Sequence, residues 1–215
     1  MRDLSRAPVR AGSGRGRLIF ALDATASREP TWDRACRLQG EMFEATGALG
    51  GLDVKLVYYR GFNECKASRW MSSAAELHRV MRSVSCVGGE TQIERVLAHA
   101  LAETKKQRVG ALVFVGDAME ENVDRLCQLA GELGLNGVPI FLFHEGDSVT
   151  AGRAFRQMAR LSHGAYLRFD AASADRLKDL LGAVAVYAAG GYRALTAYGE
   201  RRGGDVLRLT AQLKG

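Results

Sequence analysis

The feature that most constrains the fold of this 215-residue chain is a regular alternation of short apolar runs with helical patterns. Five runs have the length of β-strands, and several are apolar throughout, as strands covered on both faces of a sheet are. They span residues 17–22, 53–59, 111–116, 138–143 and 165–169. This alternation predicts an α/β sandwich of three layers, in which helices cover both faces of a doubly wound, mostly parallel sheet.

Apolar residues between these runs recur at helical spacing. The predicted helices span residues 32–46, 72–84, 91–101, 122–133, 151–162 and 173–189. Ser173 is placed to cap the N-terminus of the last helix, and Gly134 is placed to end the helix over 122–133.

Composition divides the chain into three parts. Residues 1–16 are rich in Gly, Ser and Arg and predict a disordered basic leader, residues 17–192 form one domain, and residues 193–215 form a C-terminal tail or docking segment. Residues 206–213 fit either a strand or a short amphipathic helix. The net charge of +6 lies at the ends, because residues 1–17 carry +4 and residues 193–215 carry +3. The domain itself therefore lacks the positive charge of a nucleic-acid binder.

The composition also indicates in which cellular compartment the protein is located. The sequence has no uninterrupted apolar run of 18 residues and no apolar signal-peptide region behind its N-terminal arginines. The four cysteines form no C-x-x-C pair, and they are therefore interpreted as reduced thiols. We expect a cytoplasmic protein without a membrane span.

Oxygen-bearing side chains follow the predicted strands at three places. Asp23, Thr25 and Ser27 come directly after the first strand. Thr91 follows a Gly-Gly-Glu sequence and opens a helix, and Asp117 follows the third strand. The carboxyl ends of strands in an open parallel sheet converge on one crevice. Two carboxylates and three hydroxyls there form an oxygen-only set that suits a hard cation such as Mg²⁺.

At these positions the sequence resembles the von Willebrand factor A-type (VWA) domain family. The family's metal-ion-dependent adhesion site (MIDAS) has an Asp-x-Ser-x-Ser motif, a downstream Thr and an Asp after a central strand, matched here by Asp23, Thr25, Ser27, Thr91 and Asp117. The resemblance covers about residues 17–190. The sequence departs from the family pattern in having Thr25 where Ser is usual, the inserted Glu90, and Ala118 where Gly is common.

The resemblance implies a function as well as a fold. In the family, a divalent cation is held by the protein's oxygens, and an Asp or Glu of a partner protein completes its coordination. The implied function is a non-enzymatic interaction module, an adaptor in an intracellular complex. Mg²⁺ is the expected cation, with Mn²⁺ and Ca²⁺ as alternatives. An AAA+ ATPase is the class of partner that intracellular relatives suggest.

Two other functions stay open from the residues alone. A hydrolase on an α/β fold would use Asp23, Asp117 and Mg²⁺ for phosphoryl or ester hydrolysis. An RNA-binding accessory protein would use the arginine-rich leader. His144 and Glu145 follow the fourth predicted strand and are interpreted as part of a rim loop, with a catalytic His–acid pair as the alternative.

Overall fold

The sheet has the predicted doubly wound, mostly parallel architecture. A computed structural model describes residues 15–169 and 174–213, so the predicted leader up to residue 14 and the Ser173 cap lie outside the described residues. Six strands lie in the order β3-β2-β1-β4-β5-β6, and only the pairing of β3 with β2 is antiparallel. The strands are β1 Gly16–Asp23, β2 Leu52–Arg60, β3 Glu64–Ala67, β4 Ala111–Gly116, β5 Ile140–Glu145 and β6 Ala165–Phe169.

Helices cover both faces of this sheet. They are α1 Glu29–Leu38, α2 Gly40–Thr46, α3 Ala74–Arg82, α4 Ile93–Lys106, α5 Val123–Leu135, α6 Val149–Leu161, α7 Ala174–Arg202 and α8 Gly204–Gln212. One hydrophobic core packs α1, α2, α3, α7 and α8 against one face, and a second packs α4, α5 and α6 against the other. Neighbouring residues of β1 point into opposite cores, Phe20 into the first and Ile19 into the second. The three-layer prediction is therefore confirmed.

The strand order places one crevice at the centre of the sheet. The chain passes from β1 to β2 on one side and later returns to β4 on the other side of β1. Leu22 pairs with Val115, so the carboxyl ends of β1 and β4 lie side by side. This reversal is the switch point at which open α/β sheets bind ligands. Asp23 ends β1 there, and Asp117 directly follows β4.

The structure corrects the helix predictions at Gln39 and at Gly134. The single helix predicted over 32–46 is two helices, because the chain turns at Gln39, where Met42 N–H bonds to the Gln39 carbonyl at 3.2 Å. The helix predicted to end at Gly134 continues to Leu135. Gly137 has φ 72°, and its N–H bonds to the Gly134 carbonyl at 2.9 Å, so the left-handed glycine of this helix end is residue 137.

The C-terminal segment is helical and packs on the domain. Helix α7 runs through residue 193, the predicted start of the tail, and it bends at Gly191, where φ is 70°. Helix α8 is the amphipathic helix that was one of the two alternatives for residues 206–213, with Val206 and Leu209 in the core. The Gln212 amide bonds to both the N–H and the carbonyl of Tyr166, at 2.8 and 2.9 Å, and so pairs with the exposed edge of β6.

Helix α7 also has the length and composition of a membrane span. Among the described residues, the segment Arg176–Arg202 is the one that meets both criteria, with a mean hydropathy of 1.2 in its most apolar window. A core helix of a soluble protein meets the same criteria, and 44% of this window is buried inside the protein. Leu180, Leu181 and Val184 are fully buried in the first core, which accounts for the apolar composition.

Candidate metal centre

The loop after β1 brings together three of the five predicted site residues. Asp23 ends the strand with 3% of its surface exposed, and its Oδ1 accepts a hydrogen bond from the Thr25 N–H at 2.7 Å. This bond closes a tight turn, from which a short 3₁₀ helix, Ala26–Arg28, leads into α1. The Thr25 and Ser27 hydroxyl oxygens are 3.5 Å apart. The Asp-x-Thr-x-Ser motif therefore presents its side-chain oxygens on one side of one turn.

Asp117 reaches the same turn from the neighbouring strand. The Ser27 hydroxyl donates to the Asp117 Oδ2 at 3.4 Å across 90 residues of sequence. The backbone of Asp117 is positioned by His144 of the next strand, whose Nε2 lies 3.3 Å from the Asp117 carbonyl oxygen. The structure thus joins Asp23, Thr25, Ser27 and Asp117 into one connected polar group.

Thr91 is hydrogen-bonded to the segment that follows Asp117. Its hydroxyl accepts from the Glu120 N–H at 3.0 Å, and its own N–H donates to the Glu120 carboxylate at 2.9 Å. Helix α4 begins at Ile93, two residues after the predicted start at Thr91. The Glu94 N–H in its first turn donates to Glu121 at 2.8 Å. Glu120 and Glu121 therefore attach the Thr91 loop to the loop after β4.

Gly89 allows the Thr91 loop to approach the turn after β2. A Cβ at Gly89 would lie 2.1 Å from the Gly61 carbonyl oxygen, whereas a Cβ at Gly88 would meet nothing within 4 Å. The Val87 N–H of the same loop donates to the Ala24 carbonyl inside the Asp23 turn at 3.0 Å. Of the two glycines before Thr91, the second, Gly89, is therefore the one that the close approach of the two loops requires.

The prediction that His144 and Glu145 form a rim loop is wrong. Both residues belong to β5, where His144 pairs with Arg168 and Glu145 with Phe169 of β6, and they are 1% and 6% exposed. Strand β5 begins two residues later than predicted and ends two residues later. The His144 Nδ1 lies 2.9 Å from the Tyr166 hydroxyl, and burial lowers the pKa of His144. Both ring nitrogens are therefore engaged in holding the strand ends together.

A charged residue beside the site, Arg28, was not among the predicted site residues. Arg28 directly follows the motif, and its buried guanidinium hydrogen-bonds to Glu145 and lies 3.5 Å from the Asp117 Oδ2. Thr31 also donates to the Glu145 carboxylate. The one available signal was the position of Arg28 immediately after Ser27, because the partner Glu145 is 117 residues away in sequence.

Comparison with known proteins bears on the fold. No protein-family model matches the chain, and no curated protein matches it. Solved structures do match. A von Willebrand factor type A protein from Catenulispora acidiphila superposes with a TM-score of 0.66 at 13% identity, over 82% of this chain and 43% of that one. The VWA domain of SpRpn10 gives a TM-score of 0.60 at 15% identity, over 77% of this chain and 95% of that domain.

The chain has the VWA fold. Proximal thread matrix protein 1 from the mussel byssus, solved with a zinc-occupied MIDAS motif, shares the VWA fold with a TM-score of 0.61 at 15% identity, over 80% of this chain and 46% of that one. The chain spans less than half the length of the Catenulispora and mussel proteins.

The chemistry of the Asp23 group suits a hard cation in this VWA fold. The second carboxylate oxygen of Asp23, Oδ2, is buried and forms no hydrogen bond among the described residues, and neither does the buried hydroxyl of Tyr59. Burial raises the pKa of Tyr59, and the nearby Asp23 carboxylate raises it further. A buried carboxylate oxygen without a donor is costly, and a cation would satisfy it. Burial raises the pKa of Asp23, hydrogen bonds from Thr25 offset part of this rise, and the nearby charge of Asp117 adds to it. Hydroxyls at Thr25 and Ser27 add neutral oxygens of the kind that Mg²⁺ accepts.

Proposed function

We propose that this chain is a non-enzymatic interaction module that holds a divalent cation and binds an acidic side chain of a partner protein. The observation that carries the proposal is the buried, unpartnered Oδ2 of Asp23 beside the hydroxyls of Thr25 and Ser27 and the carboxylate of Asp117. The zinc-occupied MIDAS motif of the mussel protein, which shares the fold, supports it.

In the proposed mechanism, Asp23, Thr25, Ser27 and Asp117 hold the cation, together with Thr91 from the adjacent loop. The cation supplies positive charge that a partner's Asp or Glu would recognise. Asp23 is preorganised for this role by the Thr25 N–H, and Asp117 by the contact of its carbonyl with His144. We propose Mg²⁺ as the cation because it accepts a few protein oxygens and keeps waters in its remaining positions.

The surface around the site fits a protein partner. Phe62 and Val87 are 73% and 45% exposed, and they lie on the two loops that Gly61 and Val87 join by a backbone hydrogen bond of 3.3 Å. Val87 in turn is bonded to Ala24 within the Asp23 turn. Exposed apolar side chains beside a polar centre are typical of protein interaction surfaces. The proposed setting is an intracellular complex in the cytoplasm, with an AAA+ ATPase as the proposed class of partner.

The hydrolase alternative has less support in the site. General-base catalysis needs a side chain free to accept a proton from water. The nearest histidine in the sheet, His144, already contacts Tyr166 and the Asp117 carbonyl through its two ring nitrogens. We therefore propose that the cation serves binding rather than hydrolysis.

The proposal is tested by capture of partners from cell extract on immobilised protein, with Mg²⁺ or with a chelator. We expect a set of proteins that is retained with Mg²⁺, released by the chelator, and absent from the Asp23→Ala variant. Asp124→Ala is the matched control, because Asp124 is an exposed carboxylate in the first turn of α5. Proteins retained equally with Mg²⁺, with chelator and by Asp23→Ala would contradict a cation-dependent interaction.

A further inference from the structure

Arg28 places a permanent positive charge against the candidate metal centre. Its side chain is 5% exposed, and its guanidinium contacts two carboxylates, Asp117 on one side and Glu145 on the other. Glu145 is 8% exposed in its side chain and receives a second hydrogen bond from Thr31. The guanidinium is therefore held in place through both of its terminal nitrogens, Nη1 toward Asp117 and Nη2 toward Glu145.

The guanidinium and the proposed cation depend on the same carboxylate. The Arg28 Nη1 lies 3.5 Å from the Asp117 Oδ2, and this oxygen also accepts from Ser27, which belongs to the proposed ligand set. Two positive charges a few ångström apart repel each other strongly in a partly buried site. A carboxylate that already has an arginine partner attracts a further cation less than a free carboxylate does.

We propose that Arg28 is a built-in counter-cation that balances the charge of Asp117 and competes with the divalent cation for it. Glu145, which also accepts a hydrogen bond from Thr31, holds the Arg28 Nη2 and so limits this competition. The affinity of the centre for metal is thus set by a residue that does not itself ligate metal. This inference rests on the proposed function, since it concerns the same site.

The test is calorimetric titration of the full chain with Mg²⁺ alone. Arg28→Gln removes the competing charge, and we expect it to tighten Mg²⁺ binding by about tenfold or more. Glu145→Gln removes the charge that restrains Arg28, and we expect weaker binding than in the wild type. Arg108→Gln is the control for net charge, because Arg108 is exposed in the α4–β4 connection, at the amino end of β4, whereas the candidate centre lies at the carboxyl end. We expect it to bind Mg²⁺ like the wild type.

A purely structural role for Arg28 predicts the opposite sign. Loss of an Arg28 that only shapes the loop would weaken Mg²⁺ binding, and this result, or an unchanged affinity, would overturn the inference. Thermal unfolding gives a second readout. Without Mg²⁺, we expect Arg28→Gln to unfold at a lower temperature than the wild type. Added Mg²⁺ should raise the unfolding temperature of Arg28→Gln by more than it raises that of the wild type. If Arg28→Gln does not fold, Arg28→Met combined with Glu145→Gln removes both charges of the pair, and tighter binding is again expected.

The inference and the proposed function fail in different ways. Mg²⁺ binding by the wild type that Asp23→Ala abolishes and Arg28→Gln leaves unchanged would overturn the role of Arg28 and leave the site intact. Absence of Mg²⁺ binding from both the wild type and Arg28→Gln would contradict the site and the inference together. Binding that appears only in Arg28→Gln would support the inference.

Discussion

At the scale of single residues, a strong electrostatic arrangement surrounds Glu103, away from the candidate metal centre. Its carboxylate accepts hydrogen bonds from Lys55 and Lys106, each at 2.8 Å, and from the Trp70 indole at 3.0 Å. Burial alone would raise the pKa of Glu103, but these three donors outweigh it and lower the pKa to about 2. Glu103 therefore joins α4 to β2 in its ionised form.

The lowered pKa of Glu103 makes a prediction about stability and pH. A carboxyl whose folded pKa lies below its unfolded value stabilises the fold above the unfolded value, and this contribution is lost as the pH falls toward the folded value. We expect Glu103→Gln to lower the free energy of unfolding at pH 7 by about 3 kcal/mol. The difference from wild type should shrink between pH 5 and about 2.

Urea denaturation across this pH range measures the effect of Glu103→Gln. Glu200→Gln is the control, because Glu200 is exposed on α7. We expect it to unfold like the wild type at every pH. A deficit in Glu103→Gln that stays constant down to the lowest pH would show that packing, rather than the charge, accounts for its contribution.

The sequence predicts the acidic and hydroxyl residues of the site better than their electrostatic neighbours. Asp23, Thr25 and Ser27 lie in one turn, and Asp117 follows the adjacent strand. Their spacing in sequence, and the rule that the carboxyl ends of parallel strands meet at one crevice, were enough to predict that these four residues lie together. Arg28 and Glu145 could not be paired in this way. Their contact depends on how far β5 extends and on burial that sequence spacing does not reveal.

At the scale of secondary structure, the loop between α3 and α4 depends on one glycine. Gly89 lies so close to the Gly61 carbonyl that any side chain at position 89 would collide with backbone, and backbone cannot move away as a flexible side chain can. The same loop continues to Thr91 and its two hydrogen bonds with Glu120. A displacement at Gly89 is therefore transmitted to the Thr91 side of the candidate centre.

We expect Gly89→Ala to lower the free energy of unfolding by about 2 kcal/mol and to weaken Mg²⁺ binding. Gly88→Ala is a closely matched control, since a Cβ there meets nothing within 4 Å. It should leave both quantities close to those of the wild type. Urea denaturation and Mg²⁺ titration of the two variants check the prediction. Equal behaviour of the two alanine variants would show that the loop tolerates the displacement.

Element boundaries were predictable where glycine precedes and aspartate follows an apolar run, as Gly110 and Asp117 do at β4 and Gly164 and Asp170 do at β6. Strand β4 and strand β6 match their predicted ranges. Strand β3 was missed because its four residues, Glu64–Ala67, are half-buried or exposed and carry no apolar run. The break between α1 and α2 was also missed, since Trp32 and Met42 on either side of it face the same core and so maintain one helical pattern.

At the scale of the whole molecule, the hydrophobic cores that stabilise the fold lie apart from the candidate metal centre. The two cores lie on the two faces of the sheet, and the candidate centre lies at the carboxyl ends of β1 and β4, where the strand order reverses. Helix α8 covers the free edge of β6, because the Gln212 amide at its C-terminal end hydrogen-bonds to that strand. The strand–helix alternation was sufficient to predict this architecture, whereas the packing of the C-terminal segment depended on long-range contacts.

The proposed site requires that the Asp23 turn and Asp117 hold a divalent cation. Calorimetric titration of the full chain with Mg²⁺, beside Asp23→Ala and Asp124→Ala, measures this. We expect saturable binding of one Mg²⁺ to the wild type, the same binding to Asp124→Ala, and its loss in Asp23→Ala. Unchanged Mg²⁺ affinity in Asp23→Ala would show that the cation does not bind at this turn, because Asp23 carries the buried oxygen on which the proposed site depends.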